Sequence, residues 1–334
     1  VKRVEKRGFN LKKITATREM SLVIILIVLS AFIQVRNSTF LSLSNLNDML
    51  TNAVMMGILA VGMMCVLLIG GIDISIGSNI AFSGMSVALL LRSYPGIPTV
   101  FAFVLGILIG SFCGVLVGLI ITKGNVIPII ATMGLMNAFR GATYLIADNQ
   151  WVAAYQLPVG LKAFATGKFF GINNMIVVAV IIYIIFAYFI KFTRTGRRIY
   201  AVGSNMEAAQ VSGIPIDRIK ILVYTLMGAL CGLVSVLWIS KYASAQGDAA
   251  TGFEIDIIAA CVIGGVSLNG GKGTVFGVIL GTITLGILNN ALPLINISPF
   301  WQDAIKGSVI ILAIIINTLS QRSMDKKNLR RREL

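Results

Sequence analysis

The chemistry open to this chain is bounded by a short inventory: 13 acidic residues, four cysteines and not one histidine in 334 residues. A metal centre needs His, Cys or carboxylate ligands gathered at close spacing. Cys65, Cys113, Cys231 and Cys261 instead stand singly inside apolar runs, with no CxxC pair, so they read as packing residues and no metal is expected. A phosphate loop needs GxxxxGK[ST]. The segment Asn269-Gly270-Gly271-Lys272-Gly273-Thr274 comes near, but Val266 stands where the first Gly is required and Gly273 where Ser or Thr is required. It reads as a tight turn, so no catalytic residue is expected and any ATP hydrolysis falls to another polypeptide.

Polar side chains inside apolar stretches are the other candidates. Ser75, Ser78, Asn79 and Ser83 recur at helical spacing, Asn137 and Arg140 share a face at i, i+3, and Asn289 and Asn290 are adjacent. Such groups could line a path for a polar solute; hydrogen bonding between helices is the competing role, and the favoured one for the serine and asparagine group. Arg140 is costly in hydrocarbon and must snorkel or anchor a vestibule. The acidic residues fall toward span ends: Glu5, Glu19, Asp73, Glu207, Asp217, Asp325 and Glu333 on the inner side, Asp48, Asp148, Asp248, Glu254, Asp256 and Asp303 on or near the outer side. None is expected in mid-bilayer, which argues against a proton relay and leaves sodium coupling through carbonyls open.

The elements that must position these residues are set by lipid. Hydrophobic residues make up 57% of the chain and charged ones 12%, with a mean hydropathy of +0.89, whereas a globular domain is about a quarter charged. A helix needs roughly 20 apolar residues to cross about 30 Å of hydrocarbon. On that scale the chain offers about ten spans: 20–35, 50–70, 75–92, 97–121, 126–147, 172–191, 220–240, 256–268, 274–292 and 301–320. The eighth is short, so it either starts earlier or is broken. The expected fold is all-α and polytopic: a basic tail 1–19, one transmembrane domain 20–320 and a second basic tail 321–334. The basic start has no small-residue cleavage site after its apolar run, so the first span is expected to stay attached.

The net charge of +15 would raise nucleic acid as a partner for a soluble chain. Here its placement gives another account. Seven Lys/Arg before residue 20, Lys123, six from Lys191 to Lys220, Lys272 and six after Ser320 fall on one side, against seven elsewhere. That is the positive-inside pattern of a multi-pass protein with both termini cytoplasmic, with lipid and not nucleic acid as its surroundings.

Glycines indicate how the spans meet. Gly106, Gly110, Gly114 and Gly118 form one smooth face suited to close backbone approach. An internal echo, Ile72-Asp73-Ile74 against Ile255-Asp256-Ile257 and Gly106/Gly110/Gly114 against Gly277/Gly281/Gly286, points to an inverted repeat of spans 2–5 and 7–10. Asp73 and Asp256 are expected at helix N-termini, favoured there by the dipole.

The loop 193–219 is expected on the cytoplasmic face. It holds a short helix capped by Ser204 or Asn205, with Glu207 in its first turn and a stop at Gly213 and Pro215. Glu207-Ala208-Ala209 with Gly213 resembles the EAA-x3-G signature of binding-protein-dependent ABC importers. Gly70-Gly71-Ile72-Asp73-Ile74-Ser75-Ile76-Gly77-Ser78 resembles the GGIDLSVGS stretch of ribose-, arabinose- and xylose-type permeases, as do Thr195 through Gly213, Ile258 through Gly273 and Leu288-Asn289-Asn290.

That resemblance implies a permease of the bacterial inner membrane working by alternating access. Its partners would be an ABC ATPase subunit with two nucleotide-binding modules, which holds the ATP and Mg, a second permease copy or paralogue, and an extracytoplasmic sugar-binding protein. Glu207, Ala208, Ala209 and Gly213 would form the ATPase-coupling loop. The binding protein is expected to dock on the outer loops 148–171 and 241–255, with Asp148, Trp151, Lys162, Lys241, Asp248 and Glu254 as candidate contacts. An ion-coupled secondary carrier or channel is the alternative; a membrane scaffold without transport leaves the capped loop helix unexplained.

Overall fold

The computed structural model describes residues 18–315, apart from 299, 303, 310, 313 and 314. The expected basic tails and the end of the tenth span therefore lie outside the described residues, except that Arg18 and Glu19 already belong to the first helix. In chain order the helices are α1 (Arg18–Arg36), α2 (Leu43–Leu68), α3 (Ile76–Ser93), α4 (Thr99–Lys123), α5 (Pro128–Ile146), α6 (Val159–Thr166), α7 (Asn174–Phe192), α8 (Arg194–Ser204), α9 (Met206–Val211), α10 (Ile216–Tyr242), α11 (Phe253–Ile263) and α12 (Val275–Leu294). Residues described between 300 and 315 are helical as well. A two-residue hairpin, Lys168–Phe169 paired with Ile172–Asn173, leads into α7.

The chain starts its helices with local chemistry. Ser42, Asn173, Thr193 and Thr274 each accept a backbone N–H of the first turn that follows, and Pro128 takes the first helical position of α5. Each device satisfies or removes an amide that has no intrahelical partner.

Helices α2, α4, α5, α7, α10 and α12 are long and apolar enough to cross a membrane. In lipid there is little hydrophobic drive between helices, so close packing must hold them together. The glycine face of α4 does this: Gly106, Gly110, Gly114 and Gly118 lie against Gly232, Gly228, Tyr224 and Ile221 of α10, so close that a Cβ on Gly110 would collide with the Gly228 carbonyl and the Gly232 amide. At the centre, α2 is buried without interruption from Val54 to Leu68. All four cysteines are buried and free, as expected of packing residues.

A twofold relation orders the bundle. α2 and α10 pack on each other; α3 and α4 pack on α10 just as α11 and α12 pack on α2. Directions invert between the halves. Lys241 donates to the Thr51 carbonyl and to Asn52 while Gly62 packs on Met227, so α2 and α10 are antiparallel. The Asn45–Asn290 pair and the Gly57–Thr282 contact make α2 and α12 antiparallel too. This is the inverted arrangement that the two Ile-Asp-Ile motifs led us to expect.

Two spans are broken, one in each half. α11 has 11 residues, about 16 Å at 1.5 Å per residue and half of a bilayer core. The eighth span is thus a half helix, entered by the loop 243–252, which turns back from the end of α10. α3 likewise starts inside the bundle after the non-helical stretch 69–75. The two breaks meet: a Cβ on Gly77 would collide with the Ala250 carbonyl and lie 2.9 Å from Glu254 Oε2.

Candidate functional site

The basic end of the bundle, where Lys123, Lys191 to Lys220 and Lys272 gather, carries α8 and α9. Of the two expected caps it is Asn205 that starts α9, its Oδ1 accepting Ala208 N–H at 2.9 Å. Glu207 occupies the first turn and is exposed, as is Ala208; Ala209 is buried. Gly213 has φ +76° with nothing near it, and Ile214 N–H returns to the Ala209 carbonyl. The glycine is needed for that left-handed helix stop alone. Val211 is 91% exposed at the tip of this helix. Beside it lies a groove of about 530 Å³ lined by Met206, Gln210, Ile214, Arg218 and Lys220 among others. The Lys123–Asp217 pair at its edge is exposed and adds little stability.

α8 ties this platform to both breaks. Gly203 packs so tightly that a Cβ would collide with the Leu68 carbonyl oxygen, and that same carbonyl accepts Gly271 N–H at 2.9 Å. Tyr200 Oη donates to the Gly273 carbonyl at 2.6 Å. Leu68 is the last residue before the break that leads to α3, and Gly271 and Gly273 belong to the turn that follows α11. That turn, closed by Ser267 N–H to the Lys272 carbonyl, is the near-miss phosphate motif, with Gly270 and Gly271 in the left-handed region. The contacts that join Leu68, Tyr200, Gly203 and the Gly271 turn escaped the sequence reading because they span long separations; the apolar stripe on one side of α8, with Ile199 and Val202 buried, was the available signal.

The polar interior differs in part from expectation. Asp73 is only 4% exposed and lies inside the bundle near Tyr224 of α10, which is eight residues, or about 12 Å, from the start of that helix. Asp73, expected at an inner span end, is thus enclosed among the helices, because the break in the third span carries it inward. Nor does Asp73 cap α3; its Oδ1 accepts Ser75 N–H at 2.9 Å and Ser75 Oγ at 2.6 Å. Ser78 donates to the Ser75 carbonyl, Ser83 to Asn79 Oδ1, and Asn79 reaches the Gly110 carbonyl of α4. Asn290 pairs with Asn45, while Asn289 Oδ1 is buried without a partner among the described residues. Tyr224 Oη, beside Gly71, is likewise buried and without a partner among the described residues.

Arg140 and Asn137 are drawn apart by their surroundings. Asn137 is exposed and bonds its own helix, whereas Arg140 Nη1 donates to the Gly247 and Ala249 carbonyls at 2.7 and 2.9 Å. Arg140→Ala leaves two carbonyls of the inward loop unpartnered, and should cost about 2–3 kcal/mol, read as a lower midpoint in a thermal melt in detergent. Arg140→Lys should recover part of it.

At the end opposite α9, Val152 and Ala245 form an antiparallel bridge that joins the two loops named as a docking surface. Asp148, Trp151, Lys162 and Asp248 are exposed there. Lys241 is half-buried and bonded to α2, and Glu254 is half-buried against Gly77.

A family model described as "Branched-chain amino acid transport system / permease component" matches residues 45–314. The chain is 38% identical over 292 residues to the ribose import permease protein RbsC of Bacillus subtilis (strain 168), covering 87% of this chain and 90% of that one. It is 35% identical over 305 residues to RbsC of Escherichia coli (strain K12), covering 91% and 94%. The L-arabinose ABC transporter permease protein AraH of Azospirillum brasilense is 31% identical over 296 residues, covering 89% and 86%. No solved structure matches the chain at comparable significance.

Proposed function

This chain belongs to the family of branched-chain amino acid transport system permease components, and from that premise we propose that it is the permease subunit of a sugar-importing ABC transporter. The family's description speaks of amino acids, but relatives that match nearly the whole length include ribose and arabinose permeases. A monosaccharide is therefore the cargo of choice. The chain is not itself an enzyme; a separate ATPase binds and hydrolyses ATP, and an extracytoplasmic binding protein delivers the sugar. The basic end faces the cytoplasm, as the positive-inside rule requires.

The observation that carries this reading is the seat of the α8–α9 unit. One side of it is an exposed, capped helix that presents Glu207 beside a groove with Arg218 and Lys220, a face of mixed charge for a partner of complementary pattern. Its other side is clamped to Leu68 and to the Gly271–Gly273 turn. A push on α9 reaches the interrupted segment of both halves at once. Those segments abut at Gly77 and Ala250, so they rearrange together and open the path alternately to either side. Interrupted helices with backbone groups facing a path are a common transporter device.

The purified chain should show no ATPase activity until the partner ATPase is added. Glu207→Arg should then cut uptake at least about tenfold through a mismatched interface charge while basal hydrolysis by the partner persists. Uptake equal to the parent's would remove the coupling claim. Asp73 favours one second reading, an ion-coupled carrier, because an interior acid is what such carriers use. Transport by the chain alone in liposomes, driven by an ion gradient, would establish it.

A further inference from the structure

The end opposite α9 holds a cavity of about 500 Å³, within the size range of small-molecule sites. Trp238 forms its aromatic wall with Tyr242, at 4.8 Å between ring centroids, and with Phe253, at 5.6 Å and nearly perpendicular. Gln246, Asp248 and Thr251 supply polar groups on the loop that turns inward. Among the described residues neither the Asp248 carboxylate nor the Gln246 side-chain amide has a hydrogen-bond partner. The wall is fixed from several directions. Lys241 stands 5.6 Å from the Tyr242 ring centroid and is bonded to α2, Arg140 holds the Gly247 and Ala249 carbonyls, and Thr251 Oγ1 donates to the Asp248 carbonyl at 2.6 Å.

We infer that this cavity is a permease-borne station for a neutral monosaccharide, an inference that rests on the sugar-importer reading. A sugar ring presents an apolar C–H face, which stacks on an aromatic wall, and a rim of hydroxyls. Vicinal hydroxyls donate to a carboxylate, as with Asp248, and an amide such as Gln246 both donates and accepts. Among the described residues no Lys or Arg lines the cavity, and the nearby Arg140 is engaged by the Gly247 and Ala249 carbonyls, so a sugar phosphate or other anion would face the Asp248 carboxylate. A quaternary ammonium would want aromatic faces enclosing it, but the Trp238–Phe253 edge arrangement does not form such a box. The station stands at the mouth of the break between α10 and α11, where Ala250 meets Gly77. A sugar released at the outer loops would be held there before the path opens.

Saturation-transfer NMR on the full chain in lipid nanodiscs tests this with ribose, ribose 5-phosphate and choline as probes. The ribose C–H protons should receive saturation, while the phosphate ester and choline should not. Asp248→Asn and Tyr242→Ala should each weaken ribose binding about tenfold, the loss of one charge-assisted bond or one stacking face. Tyr242→Phe keeps the ring, so it should hold ribose within about twofold and shows that a loss in Tyr242→Ala is not misfolding. Binding that survives both of the weakening substitutions, choline in place of ribose, or no transfer to ribose at all would overturn the station. ATP-driven ribose uptake by the assembled importer is the separate arm. Uptake without an NMR signal overturns the station alone, and a parent importer that moves no sugar overturns both readings.

Discussion

Gly203→Ala is expected to abolish ATP-driven uptake. A methyl group at this position has no room to grow into: its nearest neighbours are the Leu68 carbonyl and the Gly271 amide, both backbone, and these two are bonded to each other at 2.9 Å. Either α8 tilts away from the end of α2 or the Leu68–Gly271 bond breaks. Overpacking of this kind costs about 1–3 kcal/mol, and an unpartnered buried backbone group about as much again. A clamped state disfavoured by ~3 kcal/mol leaves roughly one transporter in a hundred able to transmit the stroke. The measurement is sugar uptake in proteoliposomes with the ATPase and binding protein present, normalised to reconstituted protein. Gly134→Ala is the control, since nothing lies within 4 Å of its added Cβ and alanine is the better helix former. Uptake by Gly203→Ala within about twofold of the parent would show that the clamp plays no part in coupling.

Gly110→Leu is expected to have the largest effect on the fold itself. The helices α4 and α10 cross at this point, and an added side chain would meet the Gly228 carbonyl, the Gly232 amide and the Gly232 Cα. All three are backbone, so no rotamer change relieves the clash, and both facing residues are already glycine, so no smaller neighbour can compensate. The helices must part, and the dispersion contacts that replace the hydrophobic effect in lipid are lost along the crossing. A cost of about 3 kcal/mol or more follows, seen as loss of the monodisperse chromatographic peak in detergent or as a strongly lowered melting midpoint. A parent-like melt would mean that the crossing is looser than the glycine spacing demands.

The same two glycines mark the limit of what the sequence discloses. Gly110 was legible because its role is periodic: a residue that recurs every fourth position along a span announces a close crossing whatever the partner. Gly203 was not, because its neighbours are 135 residues before it and 68 after it in the chain, and nothing local distinguishes it from a permissive loop glycine. The six long crossings were legible because lipid imposes a common length on a full span; the count of ten is approximate. The two broken spans were the weak point. Hydropathy measures how apolar a stretch is, not whether it is helical, so 69–75 and the descent of 243–252 passed as a helix end and an outer loop. Asp73 was misplaced with the first of these. Helix α9 was legible from its own caps, Asn205 and Gly213, as local hydrogen bonding set both ends. The aromatic wall of Trp238, Tyr242 and Phe253 was not, because the loop that folds Phe253 back against Trp238 is written in long-range contacts.

The four enclosed thiols carry an experimental corollary. Cys65, Cys113, Cys231 and Cys261 are all shielded by neighbouring side chains, so a membrane-impermeant maleimide finds no native sulfur to alkylate in the folded protein. A single cysteine installed at Val211, 91% exposed, or at Tyr155, 86% exposed, becomes the sole reporter of the compartment its end of the bundle faces. The wild-type chain is already a suitable background for mapping sidedness, one position at a time.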